Sequence, residues 1–226
     1  MWTRKLVAVW GLVLVGLFSV GVLASCGSSS STPSSSGAPG SSGSSQTPAP
    51  PTAAGGGASA DGSQEPVPAE RNPPGDIPDN IGFINYMNAP GGYSLVRPEG
   101  WAETTAGARA LFVDKLNGIA AEAVGGSQAP SVADAAAHEI PRLRSTQPAF
   151  EARSVDPVSL PAGSGVKIVY RRNSAPDPVT GRQYRDEVEE YLIARGGKTV
   201  RLDLYGPVGA DNVDAYHTIT QSLRLS

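Results

Sequence analysis

The sequence predicts an α+β domain, an antiparallel sheet with helices packed on it. Three observations carry this. Thr199–Tyr205 alternates cleanly, with Val200, Leu202 and Leu204 on one side and Arg201 and Asp203 on the other. It returns from a long extended run, Tyr184–Ala194, across the turn Arg195-Gly196-Gly197-Lys198. The elements then follow the order strands, helix, strands, helix, and most strands are joined by turns too short for parallel crossovers.

Each element has its own signal. Ile81, Phe83, Ile84, Tyr86 and Met87 mark a first extended segment, closed by Ala89-Pro90-Gly91-Gly92. Tyr93–Arg97 is a strand stopped by Pro98. Leu111–Leu116 is another, and Asn117-Gly118 is the pair favoured in tight I′ turns, so Ile119–Val124 is the returning strand. Gly125-Gly126 ends it. Ser131, with Asp134 three residues on, caps a helix whose Val132, Ala136, Ile140 and Leu143 share one face. Pro141 should kink or end that helix. Phe150–Ser154 and Gly165–Arg172 are extended, and the breakers of Pro176–Gly181 form a loop. Asp211 caps a final helix with Val213, Tyr216, Ile219, Thr220 and Leu223 on its apolar face. No internal repeat is present.

The chain divides unevenly. From Gly27 to about Gly75 Ser, Gly, Pro, Ala and Thr dominate, with hardly a charge. Such a segment buries too little apolar surface to offset chain entropy, and disorder is expected. About 49 flexible residues reach roughly 35–42 Å. The same composition suits an O-glycosylated stalk, with Thr32, Thr47 and Thr52 as acceptors. The expected organisation is a signal peptide over 1–25, a tether over 26–75 and a globular domain over 76–226.

Leu23-Ala24-Ser25-Cys26 ends an apolar run that starts after Arg4 and Lys5, and Cys26 is the only cysteine. A basic start followed by an apolar stretch is a secretory signal. The four residues resemble the bacterial lipobox. The resemblance implies cleavage between Ser25 and Cys26, an S-diacylglycerol and N-palmitoyl group on Cys26, and a lipid anchor on the extracytoplasmic face of the cell membrane. Two alternatives stay open. Cys26 can be an idle thiol beside an ordinary cleavage site, or Leu6–Ala24 can remain as a membrane span. All three put the remainder outside the cytoplasm.

Composition excludes several classes. The net charge is −3 and the pI about 5.4, and no basic face is visible. Arg171-Arg172 is the only adjacent basic pair in the domain, and a strand turns its two side chains to opposite faces, so no nucleic-acid partner is expected. With no cysteine in the domain, an ordinary core must hold it together. Arginine outnumbers lysine and Ala, Gly and Pro abound, which fits a GC-rich bacterial genome.

Tyr93–Trp101, an aromatic-led strand running into Pro98-Glu99-Gly100-Trp101, resembles the opening strand of PsbP-like domains. Ala215–Leu225 is similar to their closing helix. Lipobox, tether and domain together resemble actinobacterial lipoproteins of the LpqN/LpqT type. This resemblance covers about residues 84–225 and implies an α/β/α sandwich. It implies no reaction, because fold does not determine function.

Chemistry has few carriers. His138 lies on the first helix with Asp134 at i−4 and Glu139 beside it, and His217 lies on the last with Asp214 at i−3. Either could serve a metal or a hydrolase triad, but no third ligand and no nucleophile elbow is visible. Solvated helix faces explain both. Asp186, Glu187, Glu189 and Glu190 form an acidic run, with Glu187 and Glu189 on one strand face and the other two opposite. It is a weak cation site or acidic docking edge, or else it pairs with Arg185, Lys198 and Arg201 across the hairpin. Trp101, Phe112, Tyr170, Tyr191 and Tyr205 line a pocket or pack a core. No catalytic residue, cofactor or resident metal is expected. The expected role is non-enzymatic binding of an envelope protein. The alternatives are carriage of a lipid-like ligand in an interior cavity, or hydrolysis through His138 or His217.

Overall fold

The computed structural model describes residues 64–71, 75–126 and 128–226. Ser25, Cys26 and most of the expected tether lie outside the described residues.

Seven antiparallel strands form the main sheet, in the order β3 (Ala102–Ala106), β4 (Arg109–Asp114), β5 (Asn117–Val124), β9 (Lys198–Pro207), β8 (Arg185–Arg195), β7 (Gly163–Asn173) and β6 (Glu151–Leu160). A small sheet holds β1 (Phe83–Asn88), β2 (Tyr93–Pro98) and β10 (Arg224–Leu225). A helix over 132–146 packs on one face of the main sheet. The C-terminal helix, Val213–Ser222, packs on the other face together with β2. This is the α+β class that the alternation predicts.

Period two sorts the core into two clusters. Val200, Leu202 and Leu204 of β9 join Ile193 of β8, Phe112, Ile119, Ile219 and Leu223 on the face of the C-terminal helix. Val188 and Leu192 of β8 join Val166, Ile168 and Tyr170 of β7 with Ala135 and Leu143 of the first helix. Arg171 and Arg172 point to opposite faces, as expected: Arg171 meets Glu187 and Arg172 meets Asp186.

Several local expectations are corrected. Asn117-Gly118 is not the turn. Lys115-Leu116 is, with Lys115 at φ 51°, and Asn117 opens β5 opposite Asp114. The pair serves tertiary contacts instead. A Cβ on Gly118 would stand 2.0 Å from the Tyr205 ring that lies across it, and Asn117 is buried. β3 is an exposed edge strand with no apolar pattern to announce it. β6 runs on to Leu160 through Pro157, which an edge strand tolerates.

The first helix starts as predicted, with Ser131 and Asp134 in a reciprocal capping box. Residues Ala135–Glu139 then widen into a π turn, in which the Ile140 N–H reaches the Ala135 carbonyl. This turn accommodates Pro141, which has no N–H to give the preceding turn. It also rotates the buried face. Ala135 and Leu143 are buried, while Val132 and Ala136 are exposed. At the last helix the N-cap is Asn212, not Asp211, and its side chain makes no cap bond. Val213 is 72% exposed, and Ala215 takes its expected place inside.

Candidate functional site

β8 organises the polar surface of both faces. Glu187 and Glu189 point to the face of the C-terminal helix, Asp186 and Glu190 to that of the first helix. Lys167 Nζ donates to Glu189 Oε1 at 2.6 Å and Arg171 Nε to Glu187 Oε2 at 3.0 Å. Arg142 grips both oxygens of Glu190 at 2.8 and 2.9 Å, and Arg172 stands 3.6 Å from Asp186. Most partners therefore come from β7 and the first helix. Of the three expected across the hairpin, only Arg201 reaches the run, 3.6 Å from Glu190. Arg185 turns to Glu151 at 3.0 Å, and Lys198 donates to the Ser226 carbonyl. The acidic run is a lattice of paired charges.

Under the first helix the pairing is incomplete. Glu190 is fully buried and faces Asp203 in register across β8–β9. Burial pushes the Glu190 carboxyl up, and Arg142 and Arg201 pull against it. Burial works against the charge on Arg142, but Glu190 and Glu139 outweigh it and strengthen its hold on the proton. Asp203 has no such fork. Its Oδ1 is buried without a hydrogen bond among the described residues, and so is the Tyr170 hydroxyl. Burial, and next the charge of Glu190, push the Asp203 carboxyl up to about 7. Burial also pushes Asp186 up to about 7, against the pull of Arg172.

On the opposite face a groove of about 260 Å³ runs between the C-terminal helix and β7–β8. Tyr191, Tyr216, Lys167, Glu189 and His217 line it. Tyr191 donates to Glu189 Oε2 at 2.6 Å, which fixes one wall. Gly206 lets the helix end approach, because a Cβ there would meet Asn117 at 2.4 Å and Asn212 at 2.9 Å. This volume is just below the common range of about 300–1,000 Å³ for small-molecule pockets.

Among the described residues neither histidine is bonded to an acidic side chain. His138 is exposed, and its Nδ1 meets the backbone carbonyl of Asp134 at 3.1 Å. The Asp134 carboxylate accepts the Ser131 hydroxyl at 2.6 Å and amide at 3.0 Å, and these bonds hold its pKa below the usual range. His217 is exposed on the groove rim, and among the described residues no hydrogen bond or ion pair joins it to Asp214. No group of three His, Cys, Asp or Glu among the described residues is placed to hold a metal. Trp101, Phe112 and Tyr191 belong to one core cluster. Tyr170 lies in the other, with Tyr205 packed against it.

Sequence reasoning missed three buried asparagines. Asn117 Nδ2 donates to the Gly75 carbonyl at 2.7 Å, and Asn212 Oδ1 accepts the Ile77 N–H at 2.7 Å. Asn173 Oδ1 accepts the Val67 N–H at 3.0 Å. All three hold chain that precedes β1. Residues 64–71, expected within the tether, are hydrogen-bonded to the domain. Nothing in periodicity marks an asparagine for such a contact.

No family model matches the chain, and no curated protein matches it. Among solved structures it is similar to a Ran-binding protein of Saccharomyces cerevisiae, Mog1p, at 10% identity, covering 65% of this chain and 96% of that one with a TM-score of 0.42. It is similar to the PsbP of Synechocystis (CyanoP) at 13% identity, covering 66% and 98%, TM-score 0.41. LpqN of Mycobacterium tuberculosis, involved in cell envelope biogenesis, is similar at 14% identity, covering 66% and 92%, TM-score 0.38. The chain spans about half the length, 48%, of a matching Bacteroides thetaiotaomicron protein at 16% identity, with 63% of this chain covered and a TM-score of 0.39.

Proposed function

We propose that this chain is an extracytoplasmic lipoprotein of the cell envelope, anchored to the membrane through lipid on Cys26, and that its PsbP-like domain acts by binding an envelope protein without catalysis. Leu23-Ala24-Ser25-Cys26 supports the anchor. The observation that carries the binding role is the groove between the C-terminal helix and β7–β8. Its charges are already paired, Lys167 with Glu189 and Arg171 with Glu187, and two tyrosines line it. A wall of paired charges and aromatic rings suits a polar protein segment better than an acyl chain.

Mass spectrometry of the N-terminal peptide from membrane fractions tests the anchor. A diacylglyceryl and acyl mass on Cys26, lost in Cys26→Ser, is expected. An unmodified cysteine, or a mature chain starting elsewhere, overturns it. For the binding role, His138→Gln, outside the groove, is expected to complement a deletion strain like wild type, and the double variant His138→Gln/His217→Gln to fold. A folded His138→Gln variant without function would move the reading to hydrolysis or metal chemistry.

A further inference from the structure

Residues 64–71 reach the domain at the mouth of the β7–β8 hairpin, and the contact has a definite chemistry. Asn173, the last residue of β7, is 1% exposed. Its Oδ1 accepts the Val67 N–H at 3.0 Å, and its Nδ2 donates to the Glu65 carbonyl at 2.8 Å and to the Gln64 side-chain oxygen at 3.4 Å. One carboxamide thus reads a carbonyl and an amide two residues apart, as a neighbouring strand would.

Both partners are prepared for this. On the domain side, Asn173 is also held by the domain itself. Its own N–H is bound to the Pro148 carbonyl at 2.9 Å, and Arg185 donates to its Oδ1 at 3.2 Å. The cation orients the amide, so Oδ1 faces donors and Nδ2 faces acceptors. On the other side, the segment reads Glu65-Pro66-Val67-Pro68. Prolines 66 and 68 have no N–H, so Val67 supplies the single main-chain donor of 66–68, and that donor meets Asn173. Proline restricts its own φ and biases the residue before it toward extended backbone, so little conformational freedom is lost on docking. Further along, Glu70 pairs with Arg182, which lies 4.9 Å over the Tyr184 ring. A groove of about 260 Å³ lined by Gln147, Pro148, Arg172, Asn173 and Pro176 continues beside Gln64.

We infer that Asn173 and its neighbours form a binding site for an extended, proline-flanked peptide, whose resident ligand is the chain's own segment 64–71. The segment is a latch that holds the approach to the domain at the loop end of the β7–β8 hairpin. The latch stands on these contacts alone.

Amide exchange of Val67, followed by NMR on the full chain in detergent micelles, tests the latch. Exchange is expected to be slowed about tenfold or more relative to Asn173→Ala, the effect of losing a paired hydrogen bond. If Asn173→Ala does not fold, Val67→Pro decides, because it removes the donor and leaves the domain unchanged. It should shift the Asn173 side-chain amide signals while the amides of β7 and β8 keep their protection. A peptide of residues 64–71, added to the Val67→Pro chain, should return those signals toward wild type. An unprotected Val67 amide in wild type, an unmoved Asn173 signal, or no response to the peptide overturns the site. Protection that grows with protein concentration, together with a dimer mass in light scattering, would assign the segment to a second copy and overturn the latch. Cys26→Ser should leave Val67 protection unchanged, so failure of the anchor and failure of the latch are read separately.

Discussion

Glu190 and Asp203 stand opposite one another in a buried pair of strands, and the arginines are shared unequally between them. Like charges in register repel, so a proton is drawn to one member of the pair. Arg142 holds both oxygens of Glu190, whereas Asp203 Oδ1 has no bond, so the proton belongs on Asp203. The sign of the pH effect follows. Asp203 and Asp186 titrate at about 7 in the folded protein, above their ordinary 3.8. Between these values the folded state binds protons that the unfolded state does not, so stability is lost as pH rises from about 4 to about 7. Asp134, Glu151 and Asp177 are shifted downward and act in the opposite sense at lower pH. Thermal melts should therefore give a higher Tm near pH 5 than near pH 7.5, and Asp203→Asn should reduce that difference, with Asp186 supplying the remainder. An unchanged slope in Asp203→Asn would place the proton elsewhere. Leu202 has no polar neighbour of this kind. It is fully buried in the core cluster with Ile193 and Ile219, and Leu202→Asp should cost several kcal/mol and abolish the cooperative melt.

Among the elements, the β5–β9 pair shows how a glycine can be required by a ring rather than by a turn. Gly118 and Tyr205 are partners in register, and the ring occupies the space a Cβ would need. Arg172 stacks 4.8 Å above the same ring, so the ring cannot move away freely. Gly118→Ala should lower stability by about 1–3 kcal/mol, in the range of overpacked cores. In the double variant with Tyr205→Ala the two losses should sum to less than their separate values, as measured by denaturant melts of the cycle. Additive losses would show that the ring and the glycine do not meet. The first helix makes a related point. Its Ser131–Asp134 box and its Pro141 are both plain in the sequence, but the π turn between them depends on where Leu143 must land on β7 and β8. A heptad or 3.6-residue count through that stretch assigns the wrong face to Val132 and Ala136.

Across the whole molecule, the N-terminal approach is tied down by three asparagines from three distant elements, Asn117, Asn173 and Asn212. On the first helix Asp134 is committed to its cap and His138 to a backbone carbonyl, and both histidines are exposed. The histidine double variant should accordingly keep the wild-type Tm within about 0.5 kcal/mol of stability, the range of ordinary surface substitutions. Calorimetry checks this, and a large loss would mean that an exposed imidazole supports the fold.

The sequence by itself determined what local geometry controls. Alternation along β8 and β9 sorts each side chain to a face, because successive residues on a pleated strand point oppositely. The Ser131 cap and the Arg195–Lys198 turn are set within four residues. The candidate site was partly legible: the acidic run and its two faces were readable, and His217 was singled out, although its place on the groove rim was not. What only the tertiary structure decided is which strand lies beside which. β8 has two neighbours, and the sequence shows only β9, reached through a tight turn. Lys167, Arg171 and Arg172 come from β7, across the breaker loop, and neutralise the acids from there. Asn117-Gly118 was misread for the same reason. The pair favours a turn locally, but burial against Tyr205, Gly75 and Asn212 outweighs that preference, and such contacts lie 42 to 95 residues away in the chain for the hydrogen bonds of Asn117.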